Sequence, residues 1–141
     1  MANALWDPGR EGFLDNTIGS GMKWRAYLID TGAYTFSAAH KFLSSIAAGA
    51  RIAGPSPVLA NKTVTNGVFD ADDVTITGVT GVSVEAVALV KAAATDGAAD
   101  DADTAQRLVA WIDTATGLPF TPNGGDVILS WDNGALRIFK L

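Results

Sequence analysis

"VSVEAVALVKAAA", residues 82–94, is the stretch on which the fold turns. In a β-strand successive side chains point to opposite faces. On that period of two, Val84–Lys91 is apolar on both faces, interrupted only by Glu85 and Lys91. A strand that is oily on both sides needs cover on both sides, which places it at the centre of a sheet. The run is also the longest smooth apolar stretch of the chain, and it is too short to span a bilayer, which takes about 20 residues of helix.

On either side of this strand, short runs rich in Val, Ile, Thr and aromatics alternate with turn signals such as "GSG", "DTG", "TNG", "TGVTG", "ATGLP" and "DNG". That rhythm reads as an all-β, antiparallel β-sandwich (or barrel-like) domain with one or two short helices. Residues 1–141 are expected to form a single such domain, with a short N-terminal helical segment.

Upstream, Met22–Asp30 sets Met22, Trp24, Ala26 and Leu28 on one face and Lys23, Arg25, Tyr27 and Ile29 on the other. Lys62–Thr65 and Val68–Ala71 flank Asn66-Gly67, the strongest local signal for a two-residue hairpin. Asp73–Thr77 continues this region. Downstream, Gln106–Asp113 alternates Leu108, Ala110 and Ile112 against Arg107, Val109 and Trp111. The small, acidic Ala93–Gln106 segment reads as a flexible exposed loop, and "AGPSPVLANK" as an extended crossing loop stiffened by Pro55 and Pro57.

Two segments break the β rhythm. "DPGREGFLDN" offers Asp7 as N-cap and Pro8 at the first helical position. "SAAHKFLSSIAAGA" places Phe42, Leu43 and Ile46 at helical spacing, with Ser37 as N-cap and Gly49 as the stop. Each is expected to be a helical lid over an open edge or end of the sheets.

The last two strands, Asp126–Asp132 and Ala135–Leu141, are expected to form a hairpin about a type I′ turn at Asn133-Gly134. That register opposes Trp131 to Leu136, Leu129 to Ile138 and Ile128 to Phe139. One face then carries Val127, Leu129, Trp131, Leu136 and Ile138 as core. The other is apolar away from the turn, with Ile128, Phe139 and Leu141, and calls for cover by the N-terminal helix (Leu5, Trp6, Phe13, Leu14) or by a neighbouring subunit.

Composition limits the chemistry. Apolar residues make up 48% of the chain and charged residues 18%, which opposes disorder. The formal charge is -5 with no basic cluster, so nucleic acid is not an expected partner. Without cysteine there is no disulfide or thiolate chemistry. The N-terminal stretch lacks a basic region followed by an apolar one, so neither a signal peptide nor a membrane partner is expected.

The single histidine, His40, lies near Ser37 and Ser44, but no nucleophile motif surrounds it. The acidic groups Asp70, Asp72, Asp73 and Asp100, Asp101, Asp103 lack the spacing of a calcium loop and read as solvated loop charge. No catalytic, cofactor-binding or metal residue is assigned, and no enzymatic activity is expected. Of the four tryptophans, Trp24 and Trp131 fall on core faces, Trp6 in the helical lid, and Trp111 is the best candidate for exposure, either at an interface or as a sugar-stacking surface. The candidate interface residues are Ile128, Phe139, Leu141, Trp6 and Trp111.

Four stretches together, "LWDPGREGFLD" (5–15), "RAYLIDTGAYTFSAAHKFLSSI" (25–46), "AGARIA" (48–53) and above all "IDTATGLPFTPNGGDVILSWDNGALRIFKL" (112–141), resemble a group of small virion structural proteins of tailed bacteriophages and prophages. The resemblance spans nearly the whole chain and is thinnest between residues 53 and 103. It implies a capsid decoration (cement) protein that binds the major capsid protein on the capsid surface. It further implies synthesis in the bacterial host cytoplasm and self-association as a homo-oligomer, a trimer being compatible with the three-fold sites of a shell. It carries over no catalytic motif and no cofactor. The competing readings are a tail, baseplate or fibre-associated virion protein and a carbohydrate-binding β-sandwich module.

Overall fold

The structure is a computed structural model, and it describes residues 3–135 and 137–141. The described elements are β1 (Ala4–Leu5), α1 (Asp7–Leu14), β2 (Lys23–Ile29), 3-10 turns at Leu43–Ser45 and Ala48–Ala50, β3 (Arg51–Ala53), β4 (Thr63–Thr65), β5 (Val68–Asp70), β6 (Val74–Ile76), β7 (Ala86–Ala93), β8 (Arg107–Ile112), β9 (Val127–Leu129) and β10 (Phe139–Lys140). All strand pairings are antiparallel. The fold is all-β with one short helix.

The apolar run at 82–94 lies where its two-sided hydrophobicity demands. β7 is the middle strand of a five-stranded sheet ordered β1-β8-β7-β2-β3. Val84, Val87 and Leu89 enter one buried cluster, and Ala86, Ala88, Val90 and Ala92 enter a second on the opposite face. The two charges that interrupt the run are satisfied near its ends. Glu85 accepts hydrogen bonds from the Ser83 hydroxyl and the Thr31 amide, and Lys91 pairs with Asp101 at 3.2 Å. The Ser83 hydroxyl bond, followed by those from Thr31, holds the Glu85 carboxyl below its ordinary range against the opposing effect of burial.

The faces of β7 differ in size for a reason visible in its neighbours. Ala88 is paired with Tyr27 on one side and Trp111 on the other, and Trp111 is in turn paired with Ala4. Small and large side chains thus alternate across the strands, and the alanine leaves room for two rings. Interiors packed at crystal-like density need such volume matching.

The first cluster is closed by the two smaller sheets, β10-β5-β4 and β6-β9. Its centre is an aromatic stack: Trp24 lies 4.6 Å from Phe69, Phe69 lies 5.2 Å from Phe139, and Phe13 of α1 lies 5.9 Å from Phe139. The second cluster is closed by the irregular segment after β2, which contributes Tyr34, Leu43, Ile46 and Ala50, together with Trp6. The expected hairpin at Asn66-Gly67 forms, with φ of 54° and 77° joining β4 to β5.

α1 forms as expected with Pro8 in its first turn, although Trp6 rather than Asp7 is the capping position. The helix lies so close to β8 that a Cβ on Gly9 would come within 2.9 Å of the Leu108 carbonyl oxygen. Under it, β8 carries a bulge. The pairing steps from Ala110 to Leu108 while β7 steps only from Leu89 to Val90, so Val109 is an extra residue. Val109 and Ala110 therefore share the first cluster, and Leu108 joins Trp111 in the second. Strict alternation of Leu108, Ala110 and Ile112 does not hold.

Three further expectations are corrected. Residues 37–50 form no α-helix, only the two 3-10 turns. The open edge of β8 takes this segment instead: Leu43 donates to the Gln106 carbonyl and Leu108 donates to the Lys41 carbonyl. Backbone groups of β8 that would otherwise be buried without partners outweigh the local helical pattern. The terminal hairpin does not form either. β9 pairs with β6, so that Ile128 opposes Thr75, and β10 pairs with β5, so that Phe139 opposes Phe69. Gly134 donates to the Asp132 carboxylate, an Asx turn, and the positive φ in this region belongs to Arg137. The expected contact of Trp131 with Leu136 lies outside the described residues.

The acidic segment 93–106 is not a free loop. Asp100 pairs with Lys23 and Arg25, Asp101 with Lys91, Asp103 with Arg51, and the neighbouring Asp96 with Lys62. These cations are themselves largely covered, with the Lys23 side chain only 7% exposed, so their charge requires a partner. At Asp100, burial pushes the carboxyl up, but hydrogen bonds and attraction from Lys23 and Arg25 together prevail and hold it below its ordinary value.

Two outcomes are expected. Ala88→Leu should overpack the Tyr27–Trp111 row and lose about 1–3 kcal/mol of stability, whereas Ile128→Ala, at a site 64% exposed, should stay within about 0.5 kcal/mol; chemical denaturation compares them. Because the folded-state pKa of Asp100 is depressed, its stabilisation is full above the ordinary carboxylate pKa and is lost as pH falls through the lower folded value. Asp100→Asn should lower stability at neutral pH and flatten the loss of stability in that acidic window, measured as unfolding free energy against pH.

Candidate functional site

His40 lies on the irregular segment after β2, and its Nδ1 shares a 2.8 Å hydrogen bond with the Tyr34 hydroxyl. Burial pushes that hydroxyl above its ordinary pKa, so at neutral pH it stays protonated. Neither Ser37 nor Ser44 hydrogen-bonds to the ring among the described residues. The ring of Tyr34 leans on Trp111 at 5.6 Å, which makes the pair part of the second cluster's packing.

The remaining acidic candidates are engaged as structural acceptors. Asp70 pairs with Arg137, Asp72 accepts from Asn61, and Asp73 accepts from the Trp131 amide. Among the described residues no group of three or more His, Cys, Asp or Glu side chains could hold a metal ion. No helix among them is long and apolar enough to cross a membrane.

The candidate interface residues separate into two kinds. Trp6 and Trp111 are corrections: they are 0% and 2% exposed and pack edge-to-face at 5.8 Å inside the second cluster. The bulge at Val109 and the cover by Tyr34 and Phe36 put Trp111 inside. Its indole nitrogen donates to Asp113 at 3.0 Å. Phe139 is partly buried in the aromatic stack, covered by Phe13 of the N-terminal helix. Ile128 and Leu141 are exposed, at 64% and 58%.

Since the terminal hairpin does not form, these two exposed side chains do not share one face. Ile128 stands on β9, in a cleft lined also by Ile112, Thr114, Leu118 and Trp131. Leu141 lies in a separate groove bounded by β1, α1 and β10, whose lining is mainly apolar and includes Leu5, Phe13, Leu14 and Ile138. Leu14, on α1, was assigned to cover the last strand, yet it is 88% exposed at the groove's lip. Its place on an amphipathic helix was legible, but its position beyond the packed edge depends on where α1 crosses β8.

No protein-family model matches the chain, and no curated protein matches it.

With all four tryptophans buried, iodide should quench their fluorescence weakly, and soluble oligosaccharides should leave the emission maximum unchanged. Strong iodide quenching or a sugar-dependent shift would show an indole face open to ligand.

Proposed function

We propose that this chain is a bacteriophage virion structural protein without enzymatic activity, a capsid decoration protein that binds the major capsid protein and reinforces the shell. The observation that carries this reading is the resemblance running through residues 5–15, 25–46, 48–53 and 112–141. Those stretches are not scattered over the surface. Trp6 of the first packs on Phe36 of the second at 5.3 Å, and Phe13 of the first on Phe139 of the last at 5.9 Å. The likeness thus lies in residues that jointly build the body, as expected for related folds.

The physical character of the molecule agrees with a binding role. Its polar side chains are spent on internal ion pairs and turns, and its one imidazole on packing. Apolar side chains remain at the surface, among them Leu14, Ile128 and Leu141. Burying such groups against a shell contributes roughly 25 cal/mol per Å² of apolar area, less the cost of association. Repetition over many identical sites, with self-association as a homo-oligomer, lets a modest contact stabilise a whole particle. The protein would be made in the bacterial cytoplasm and reside on the capsid surface. A tail, baseplate or fibre location is the second reading, since the same resemblance covers virion parts in general. The carbohydrate-binding reading depended on an open Trp6 or Trp111, and both are buried.

Quantitative mass spectrometry of virions from a phage encoding the chain tests the proposal. Copy numbers comparable with the major capsid protein, in heads separated from tails, are expected. A few copies confined to the tail fraction would move the protein to the tail, and absence from the particle would overturn the virion role.

A further inference from the structure

The groove bounded by β1, α1 and β10 has a geometry and a charge that identify its occupant. We propose that it is a docking site for an extended protein segment whose apolar residues are flanked by carboxylates. The inference does not depend on the virion reading, because the occupant is defined by chemistry alone.

Backbone geometry is the first observation. β1 is the outermost strand of the five-stranded sheet, and β10 the outermost strand of the three-stranded sheet. Both line the groove. Each is hydrogen-bonded to a neighbour on one side only, so each turns an open edge outward. An open edge offers amides and carbonyls to an added strand, which is a common way to hold an extended peptide. The groove floor, with Leu5, Phe13 and Ile138, can receive the alternate side chains of such a strand, while Leu14 and Leu141 at the lip can close over it.

Charge is the second observation. The chain has ten cationic residues against fifteen acidic ones. Lys23, Arg25, Arg51, Lys62 and Lys91 are consumed by the 93–106 segment. Arg107 is buried, donating to Thr17 and the Pro8 carbonyl, and Lys41 lies over the Phe42 ring. The remaining three cations, Arg10, Arg137 and Lys140, are the charged side chains that line the groove. Arg10 and Arg137 have carboxylate partners, Asp7 and Asp70, that are not part of its lining. Lys140 has no ion-pair partner among the described residues. In an acidic protein this is a local reversal of sign, and it favours a segment bearing Asp or Glu.

A second copy placed by a two-fold axis would set this cationic rim against itself, which disfavours an isologous dimer here. Nucleic acid would find three cations around an oily floor rather than a continuous basic track.

Panning a random dodecapeptide display library on the full chain tests the proposal. Enriched sequences should combine alternating apolar residues with Asp or Glu. Binding of a synthetic copy of the commonest one, followed by fluorescence anisotropy, should weaken about tenfold or more in Leu14→Asp and in Lys140→Glu. Both changes lie at exposed positions, and circular dichroism verifies that the variants stay folded. No enrichment, enriched peptides without acidic residues, or undiminished binding to both variants would overturn the proposal. So would sedimentation showing a dimer of the free chain that either variant dissociates, since the occupant would then be a second copy.

Discussion

The structure depends on one strand being buried on both faces. β7 has no solvent side, so the chain must build two cores and not one. Everything else supplies cover. The two small sheets close the face bearing Val87 and Leu89, and the irregular segment after β2 closes the face bearing Ala88 and Val90. The volumes are complementary: where β7 offers alanines, Tyr27 and Trp111 provide rings. Hydrophobic burial is non-directional, but close packing is not, and it is the small side chain of Ala88 that lets the two rings approach from either side.

Polar groups are arranged to tolerate this burial. Lys23 and Lys91 belong to strands of the main sheet, and the 93–106 segment folds back to meet them with Asp100 and Asp101. An unpaired cation there would be costly, so the segment is held as a consequence of the sheet's charge. Arg107 is satisfied differently, by neutral acceptors: the Thr17 hydroxyl and the Pro8 carbonyl. Its bonds tie the start of β8 to α1, close to where Gly9 lets the helix rest against the β8 backbone.

These arrangements bear on function through what they leave over. The rings that might have faced a sugar are packed inward, and the side chains that might have formed a catalytic pair are spent on packing and ion pairs. What remains at the surface is apolar side chains beside open strand edges, with a small cationic rim at one of them. Such a surface is suited to holding protein, which is the common ground of the decoration-protein reading and of the groove's preference for an acidic, extended segment.

Much of this fold was legible in residue order because its signals are local. The two-sided apolar run at 84–91, the strand from Lys23, the Asn66-Gly67 turn and the proline-led helix each carry their conformation within a few residues. The candidate surface was legible only in part. Ile128 and Leu141 are exposed, but local alternation could not reveal the bulge at Val109, which turns Trp111 into the core. Nor could a turn-like Asn133-Gly134 reveal that β9 and β10 have better partners in β6 and β5. The helical spacing at 37–50 likewise yielded to the unpaired backbone of β8. By itself, the sequence determined the strand content, the central strand and the early helix, since period and turn chemistry act at short range. Only the tertiary structure decided which edges pair, which tryptophans are covered and where a groove stays open, because those outcomes depend on competition between distant segments for the same hydrogen bonds and the same buried volume.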